Sequence, residues 1–206
     1  DSDMPPLLLL LHGVGSNEED LFELAKYVDP RFFIVSARAP IMLMPGAYAW
    51  YHIQFSPDDM RIDFREAEHS RSIVQRFIAE LVESYQLDPD RVYLMGFSQG
   101  AIMGLSLALT QPEKLAGVVA MSGRLLPELN PLIVSPDRLK DFPIFMAHGT
   151  ADAVIPIQDG RAAYEQLSAL PLDLTYREYP MGHQVSIESL NDIAAWLKDR
   201  LDKISD

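Results

Sequence analysis

RVYLMGFSQGAIMGL, residues 91–105, passes from a strand pattern into a helix pattern across a serine with a glycine two positions away on either side. β-branched and aromatic residues dominate its first half, and small apolar residues at helical spacing fill its second half. A turn sharp enough to expose Ser98 between a strand and a helix leaves no room for side chains at Gly96 and Gly100. The stretch therefore predicts a strained turn with Ser98 at its tip.

The G-x-S-x-G motif is short, and both residue types are common enough for it to arise by chance. An ordinary helix N-cap is the alternative interpretation of Ser98. A catalytic serine of this kind also needs an acid and a base further along the chain, in that order. The remaining sequence therefore decides between the two.

Composition limits the classes of protein to consider. The 206 residues, 48% hydrophobic and 23% charged, predict a single globular domain over residues 1–206. A formal net charge of −13 argues against a nucleic-acid partner and against docking on an anionic membrane through a basic patch. The absence of cysteine excludes disulfides, thiolate metal sites and a cysteine nucleophile.

No stable membrane insertion is expected, because the longest apolar run, residues 7–11, is too short to cross a bilayer. The acidic residues before it do not resemble a signal peptide, so a cytoplasmic location is expected. The chain does not begin with Met, and removal of a leading segment stays open.

Strand and helix patterns alternate along the chain, which predicts a mostly parallel central sheet with helices on both faces, a three-layer α/β fold. Ser16 and Glu19 have the spacing of a capping box. Residues 36–59 and 122–142 are expected to be irregular connections. Strand patterns cover residues 7–11, 32–35, 91–97, 116–121, 143–147 and 172–179, and helical patterns cover residues 21–28, 73–85, 101–109, 158–170 and 190–201.

Three chemically suited side chains follow predicted strands at one edge of this sheet. Ser98, Asp152 and His183 occur in the chain order expected of an α/β-hydrolase. His183 is suited to take the serine proton, and Asp152 to hold the imidazole tautomer. Asp159 competes for the acid role, but its position favours the following helix.

Two backbone N–H groups are candidates for an oxyanion hole. The helix that opens after Ser98 directs free N–H groups towards the site, and Gln99 supplies the first. The glycine-rich turn after the first strand, residues 13–15, supplies the second, with Val14 as the preferred donor.

Four blocks of the sequence, LLLLLHGVGSNEEDL, GFSQGAIMGL, HGTADAVIP and YPMGHQVSIESLNDIAAWL, together resemble the carboxylesterase/phospholipase family. This family includes the acyl-protein thioesterases and small bacterial serine esterases. The resemblance covers nearly the whole chain and implies an α/β-hydrolase fold with no separate lid domain. It places Ser98, Asp152 and His183 at the catalytic triad and Val14 and Gln99 at the oxyanion hole, and it allows a homodimer that the composition does not indicate.

The segment AWYHIQF departs from the family pattern, because His52 follows Trp50 and Tyr51 where many thioesterase-like members carry Asp. This segment borders the acyl or alcohol site in the family. Trp50 and Tyr51 are therefore predicted to border the substrate pocket, with a place in the core as the alternative. Substrate preference is not carried over.

These observations predict a serine hydrolase that cleaves small to medium acyl esters through an acyl-enzyme, with no cofactor and no metal. His12 and His148 are assigned to the turns in which they sit, while His52 and His69 show neither a partner nor metal-ligand spacing. Lysophospholipids and acyl-protein thioesters are the alternative substrates. A non-catalytic receptor that keeps the pocket for ligand binding is the alternative outside enzymes.

Overall fold

The computed structural model describes residues 4–56 and 59–203, and a six-stranded parallel sheet lies at its centre. In chain order its strands are β1 (Leu7–Leu11), β2 (Phe33–Ala37), β7 (Val92–Phe97), β8 (Gly117–Met121), β9 (Pro143–Gly149) and β10 (Asp173–Tyr179). They lie in the order β10-β9-β8-β7-β1-β2, so the strand that precedes Ser98 is flanked on both sides. The predicted parallel sheet is confirmed.

Helices cover both faces of this sheet, as predicted. They are α1 (Glu18–Phe22), α2 (Phe64–Tyr85), α3 (Gln99–Thr110), α4 (Ile157–Ser168) and α5 (Ile187–Lys203). Alternate residues of β1 point to opposite faces, as in any strand. Leu7, Leu9 and Leu11 join the core cluster under α2 and α3, whereas Leu8 and Leu10 join the cluster under α5.

The segment predicted as irregular after β2 contains two hairpins. They are β3 (Ile41–Met44) with β4 (Ala47–Ala49), and β5 (Ile53–Ser56) with β6 (Asp59–Ile62). The exposed apolar residues of β3 break the alternation that marks a half-buried strand, so the sequence pattern did not indicate it. The second connection, residues 122–142, holds 3-10 turns at Pro127–Leu132 and Pro136–Leu139.

Two helix starts differ from the sequence expectation. The N-cap of α1 is Asn17 rather than Ser16, and its side chain accepts a hydrogen bond from the Glu19 N–H at 2.9 Å. The Ser16 hydroxyl instead donates to Asp20. Helix α2 begins at Phe64, well before the apolar positions that identified it, because its first turns are mostly polar.

The described part of the chain contains no helix long and apolar enough to cross a membrane. Since all six strands of the main sheet are parallel, their carboxyl ends lie along one edge. The loops after β1, β7, β8, β9 and β10 therefore meet there, and this edge carries the candidate site.

Candidate active site

Ser98 occupies the turn between β7 and α3 with a φ of +53°, a conformation that is rare for a residue with a side chain. The turn brings the helix back close to the strand it leaves. A Cβ at Gly96 would overlap the Gly100 backbone, and a Cβ at Gly100 would overlap the Leu11 carbonyl. The predicted steric reason for the two glycines is confirmed.

The structure brings the three predicted side chains together at the sheet edge. His183 Nε2 lies 3.0 Å from Ser98 Oγ, and His183 Nδ1 lies 2.8 Å from Asp152 Oδ2. Ser98 and Asp152 are 5% and 7% exposed. Because a carboxylate only accepts, Nδ1 carries the proton and Nε2 presents its lone pair to the Ser98 hydroxyl.

Asp152 is held by donors on both carboxylate oxygens. Its Oδ1 accepts the N–H groups of Val154 and Ile155, each at 2.9 Å, while Oδ2 accepts from His183. Burial opposes ionisation of this carboxyl, but the hydrogen bonds outweigh it, so the pKa of Asp152 lies below its ordinary value. Asp152 is therefore negatively charged at neutral pH. Asp159 lies in the first turn of α4, as expected.

His148, assigned from the sequence to the turn in which it sits, is the penultimate residue of β9 and lies beside Asp152, a contact that the sequence did not predict. His148 Nε2 donates to the Ile155 carbonyl at 2.8 Å and lies 3.6 Å from Asp152 Oδ2. Its side chain is 1% exposed and fits against Gly160, where a Cβ would come within 2.5 Å of Nδ1. The one signal in the sequence was the four-residue separation of His148 and Asp152. His148 therefore braces the turn that carries Asp152.

The turn after β1 packs directly against the serine. A Cβ at Gly13 would lie 3.3 Å from Ser98 Cβ, and Gly15 has a φ of +80°. Neither the Val14 N–H nor the Gln99 N–H finds an acceptor among residues 4–56 and 59–203. Two free backbone donors are thus available on either side of Ser98.

The side chain of Gln99 clamps the segment that contains Trp50 and Tyr51. Its Oε1 accepts the Trp50 N–H at 2.7 Å, and its Nε2 donates to the Tyr51 carbonyl at 2.8 Å. Trp50 Nε1 donates in turn to the His12 carbonyl at 2.9 Å. Sequence reasoning used only the backbone of Gln99 and missed this role. The clamp ties the turn after β1 to the start of α3.

Trp50 and Tyr51 are each 1% exposed and belong to the core cluster under α2 and α3. This placement agrees with the alternative left open for them, and their contribution to a substrate pocket stays a prediction. His52, by contrast, is exposed and does have a partner. Its ring Nδ1 lies 2.8 Å from Glu66 Oε2, and its backbone N–H donates to the same oxygen.

His12 serves its turn, as expected. Its Nδ1–H donates to the Gly13 carbonyl at 2.7 Å, and its Nε2 accepts the Ala39 N–H at 3.0 Å. Burial is the main reason why the pKa of His12 lies below the ordinary value for histidine. Across the described ranges, no three His, Asp or Glu side chains converge in a way that would hold a metal ion.

The parallel sheet, the strained serine turn and the strand-end acid and histidine define an α/β-hydrolase fold. The chain matches the phospholipase/carboxylesterase family over residues 1–201. It belongs to that family and is a carboxylic ester hydrolase.

Individual relatives agree with this assignment. The chain is 37% identical over 172 residues to acyl-protein thioesterase 1 of Neurospora crassa, a match that covers 80% of this chain and 69% of the relative. It is 28% identical to the carboxylesterase SOBER1 of Arabidopsis thaliana, covering 94% and 90%. Among solved structures, esterase PE8 superposes with a TM-score of 0.80 at 27% identity, covering 95% and 93%. The Bacillus cereus carboxylesterase shares the fold, with a TM-score of 0.81 at 23% identity, covering 97% and 90%.

Proposed function

We propose that this chain hydrolyses esters of small to medium acyl chains through an acyl-enzyme on Ser98. The observation that carries the proposal is the hydrogen-bonded series Ser98 Oγ, His183 Nε2, His183 Nδ1 and Asp152 Oδ2, with distances of 3.0 and 2.8 Å. A serine hydroxyl is a weak nucleophile at neutral pH and needs an adjacent base of this kind. Neutral His183 with its lone pair on Nε2 is in the form that accepts the proton.

The reaction proceeds in two acyl transfers. Ser98 Oγ forms a bond to the ester carbonyl carbon while its proton passes to His183 Nε2. The bond from that carbon to the alcohol oxygen then breaks, and His183 returns the proton to the leaving alcohol. Water repeats the sequence on the acyl-enzyme, releasing the carboxylic acid and restoring Ser98.

Negative charge that develops on the carbonyl oxygen needs donors fixed in advance. The free N–H groups of Val14 and Gln99 support an oxyanion hole on these two residues. Asp152 stabilises the imidazolium that forms on His183 without itself taking the proton. No step of this mechanism uses a metal or a cofactor.

Apolar side chains around the site support an acyl substrate. Val14, itself a candidate oxyanion residue, is 40% exposed, and Val154 and Ile187, which closely follow Asp152 and His183 in sequence, are 65% and 63% exposed. The hairpin of β3 and β4 adds exposed Met42 and Met44, and it is tied to the turn after β1 by the Gly15 N–H to Tyr48 carbonyl bond of 2.8 Å. Such a rim favours contact with an aliphatic chain.

Acyl-protein thioesters are the second candidate substrate. The observation that favours them is the similarity to a relative named acyl-protein thioesterase 1 at 37% identity. The same triad serves both substrates, because the attack on the carbonyl carbon is unchanged and only the leaving group differs. Relative kcat/KM for matched p-nitrophenyl esters and acyl thioesters of the same chain length separates them.

A burst experiment with p-nitrophenyl esters of graded chain length tests the proposal. We expect a burst of one nitrophenolate per chain, and its loss in Ser98→Ala and His183→Ala. Ser106→Ala is the matched control, since that buried serine on α3 bonds only within its own helix. A folded protein that shows no turnover and no fluorophosphonate labelling would instead be a non-catalytic receptor.

A further inference from the structure

The segment after β8 lies beside Ser98 at the carboxyl edge of the sheet. Met121, the last residue of β8, pairs in register with Phe97 of β7 and Ala147 of β9. The Ser98 N–H donates to the Met121 carbonyl and the Ser122 N–H donates to the Ala147 carbonyl, both at 2.8 Å. Ser122 therefore stands one strand away from the proposed nucleophile.

The chain then crosses the first turn of α3 at close range. Ser122 has a φ of +51°, similar to that of Ser98, and its hydroxyl is buried without a hydrogen-bond partner in the described structure. A Cβ at Gly123 would lie 2.8 Å from Ala101 Cβ. Backbone strain of this kind concentrates at functional sites. The backbone of the next residue, Arg124, therefore lies close to the first turn of α3, which follows Ser98.

Arg124 is half-buried, and part of its guanidinium is unsatisfied. Its Nε is buried and has no hydrogen-bond partner, and no carboxylate of the described residues forms an ion pair with it. Among the other arginines whose side chains the structure describes, all pair with Asp or Glu except Arg65, which is exposed on α2. Arg124 is thus the half-buried arginine that lacks a counter-ion in this part of the molecule.

Arg124 lies near the side chain of Tyr51, one of the two residues that Gln99 holds. Burial raises the pKa of Tyr51, and the positive charge of Arg124 opposes that shift. Glu128, which is exposed, acts on Tyr51 in the opposite sense and makes no ion pair with Arg124. The Gln99 side chain acts on the same phenol, so the guanidinium and the Gln99 side chain lie near one group.

A partly desolvated guanidinium without a partner is costly, and a bound anion offsets that cost. The net charge of −13 repels anions at long range, so an anionic substrate needs a local cation to hold it. The planar fork of arginine binds the two oxygens of a carboxylate or phosphate side by side. We propose that Arg124 is a substrate-binding residue that recognises a carboxylate or phosphate carried by the ester substrate. This inference rests on the proposed ester hydrolysis at Ser98.

Matched ester pairs test it directly. The first pair is mono-p-nitrophenyl adipate and its neutral methyl ester, which share a chain and a leaving group and differ in one charge. We expect Arg124→Gln to lower kcat/KM for the acidic ester by about 10- to 100-fold, as for loss of a charge-assisted hydrogen bond. The neutral ester should change by less than about threefold, Arg124→Lys should lie between, and the exposed control Arg65→Gln should leave both rates unchanged.

A second pair distinguishes the source of the anion. Lysophosphatidic acid carries a phosphate that the monoacylglycerol of the same chain length lacks. A dependence on Arg124 for the adipate pair alone identifies a carboxylate, and a dependence for the lysophosphatidic acid pair alone identifies a phosphate. Equal losses on charged and neutral members of both pairs, or no dependence on Arg124 in either, would overturn the proposal.

Two controls keep the outcomes separable. If Arg124→Gln does not melt cooperatively, inhibition of neutral-ester hydrolysis is measured in the unmodified protein and in Arg124→Lys. Competitive inhibition by adipate or inorganic phosphate that weakens in Arg124→Lys supports the proposal, and its absence contradicts it. Loss of fluorophosphonate labelling and of all turnover in the unmodified protein would instead refute the hydrolysis at Ser98.

Discussion

The two sides of Ser98 are built from different chemistry. Towards β1 lies an amide flank, defined as the turn of residues 13–15, the segment Trp50–Tyr51 and the Gln99 side chain that joins them. Towards β9 lies a charged flank, defined as Arg124, His148, Asp152 and His183. Backbone N–H and carbonyl groups hold the first in place, whereas ionisable side chains make up the second. In the proposed mechanism, the amide flank supplies the donors for the oxyanion and the charged flank supplies the groups that transfer the proton.

Asp152→Asn breaks the charged flank and has the largest expected effect. An amide at position 152 no longer fixes the His183 tautomer or stabilises the imidazolium, so we expect kcat to fall roughly 1,000- to 10,000-fold. Steady-state hydrolysis of a p-nitrophenyl ester measures this. Asp159→Asn, on α4, is the control and should retain full activity. A loss below tenfold for Asp152→Asn would mean that another group orients His183.

Gly100→Ala adds a side chain where the first turn of α3 lies against the end of β1 and the start of the turn that follows it. The new Cβ would overlap the Leu11 carbonyl and press on the His12 carbonyl, and neither backbone group can move away cheaply. We expect a loss of about 3 kcal/mol or more in the free energy of unfolding, measured by urea denaturation.

Gly104→Ala, on the same helix, is its matched control. There the nearest atom is Val118 Cγ1 at 3.3 Å, a side-chain methyl that can shift, so the change should be within about 1 kcal/mol. Equal effects of the two substitutions would show that close approach to β1 does not set the requirement for glycine at position 100.

Gln99→Met removes the clamp of the amide flank and keeps the length of the side chain. The Trp50 N–H and the Tyr51 carbonyl would be left buried without partners, at a cost of about 2 kcal/mol in the free energy of unfolding. We also expect KM to rise more than kcat falls if the segment borders the substrate. Gln166→Met, on the exposed face of α4, should change neither quantity.

The sequence predicts those site residues that directly follow a strand, and it does not predict contacts between residues far apart in the chain. Ser98, Asp152 and His183 each follow a recognisable strand, and parallel topology alone brings such positions to one edge. The Gln99 clamp joins residues 49 positions apart, so no local pattern indicates it. No local pattern indicates Arg124 either, because its proposed role follows from the absence of a counter-ion among the described residues. The sequence pattern did not indicate the β3–β4 hairpin because its apolar residues face outwards.

Acidification should lower stability through His12, which directly precedes the amide flank, at a higher pH than through Asp152. His12 uses its neutral form, since protonating Nε2 would break the hydrogen bond from the Ala39 N–H, and its pKa in the folded protein is lowered. Below about pH 6.5 the unfolded chain therefore binds more protons at His12, and stability falls by at most about 1.4 kcal/mol per pH unit for this group. The pKa of Asp152 in the folded protein is also lowered, but Asp152 is an acid, so its ionised form stabilises the fold at neutral pH. That contribution is lost only as the pH falls below the ordinary pKa of 3.8 towards the lower pKa of the folded protein. Urea denaturation from pH 7 to 5 should show the decline in the unmodified protein and a smaller one in His12→Gln, with His69→Gln, an exposed control, retaining the full decline. A decline unchanged by His12→Gln would place the titrating group elsewhere.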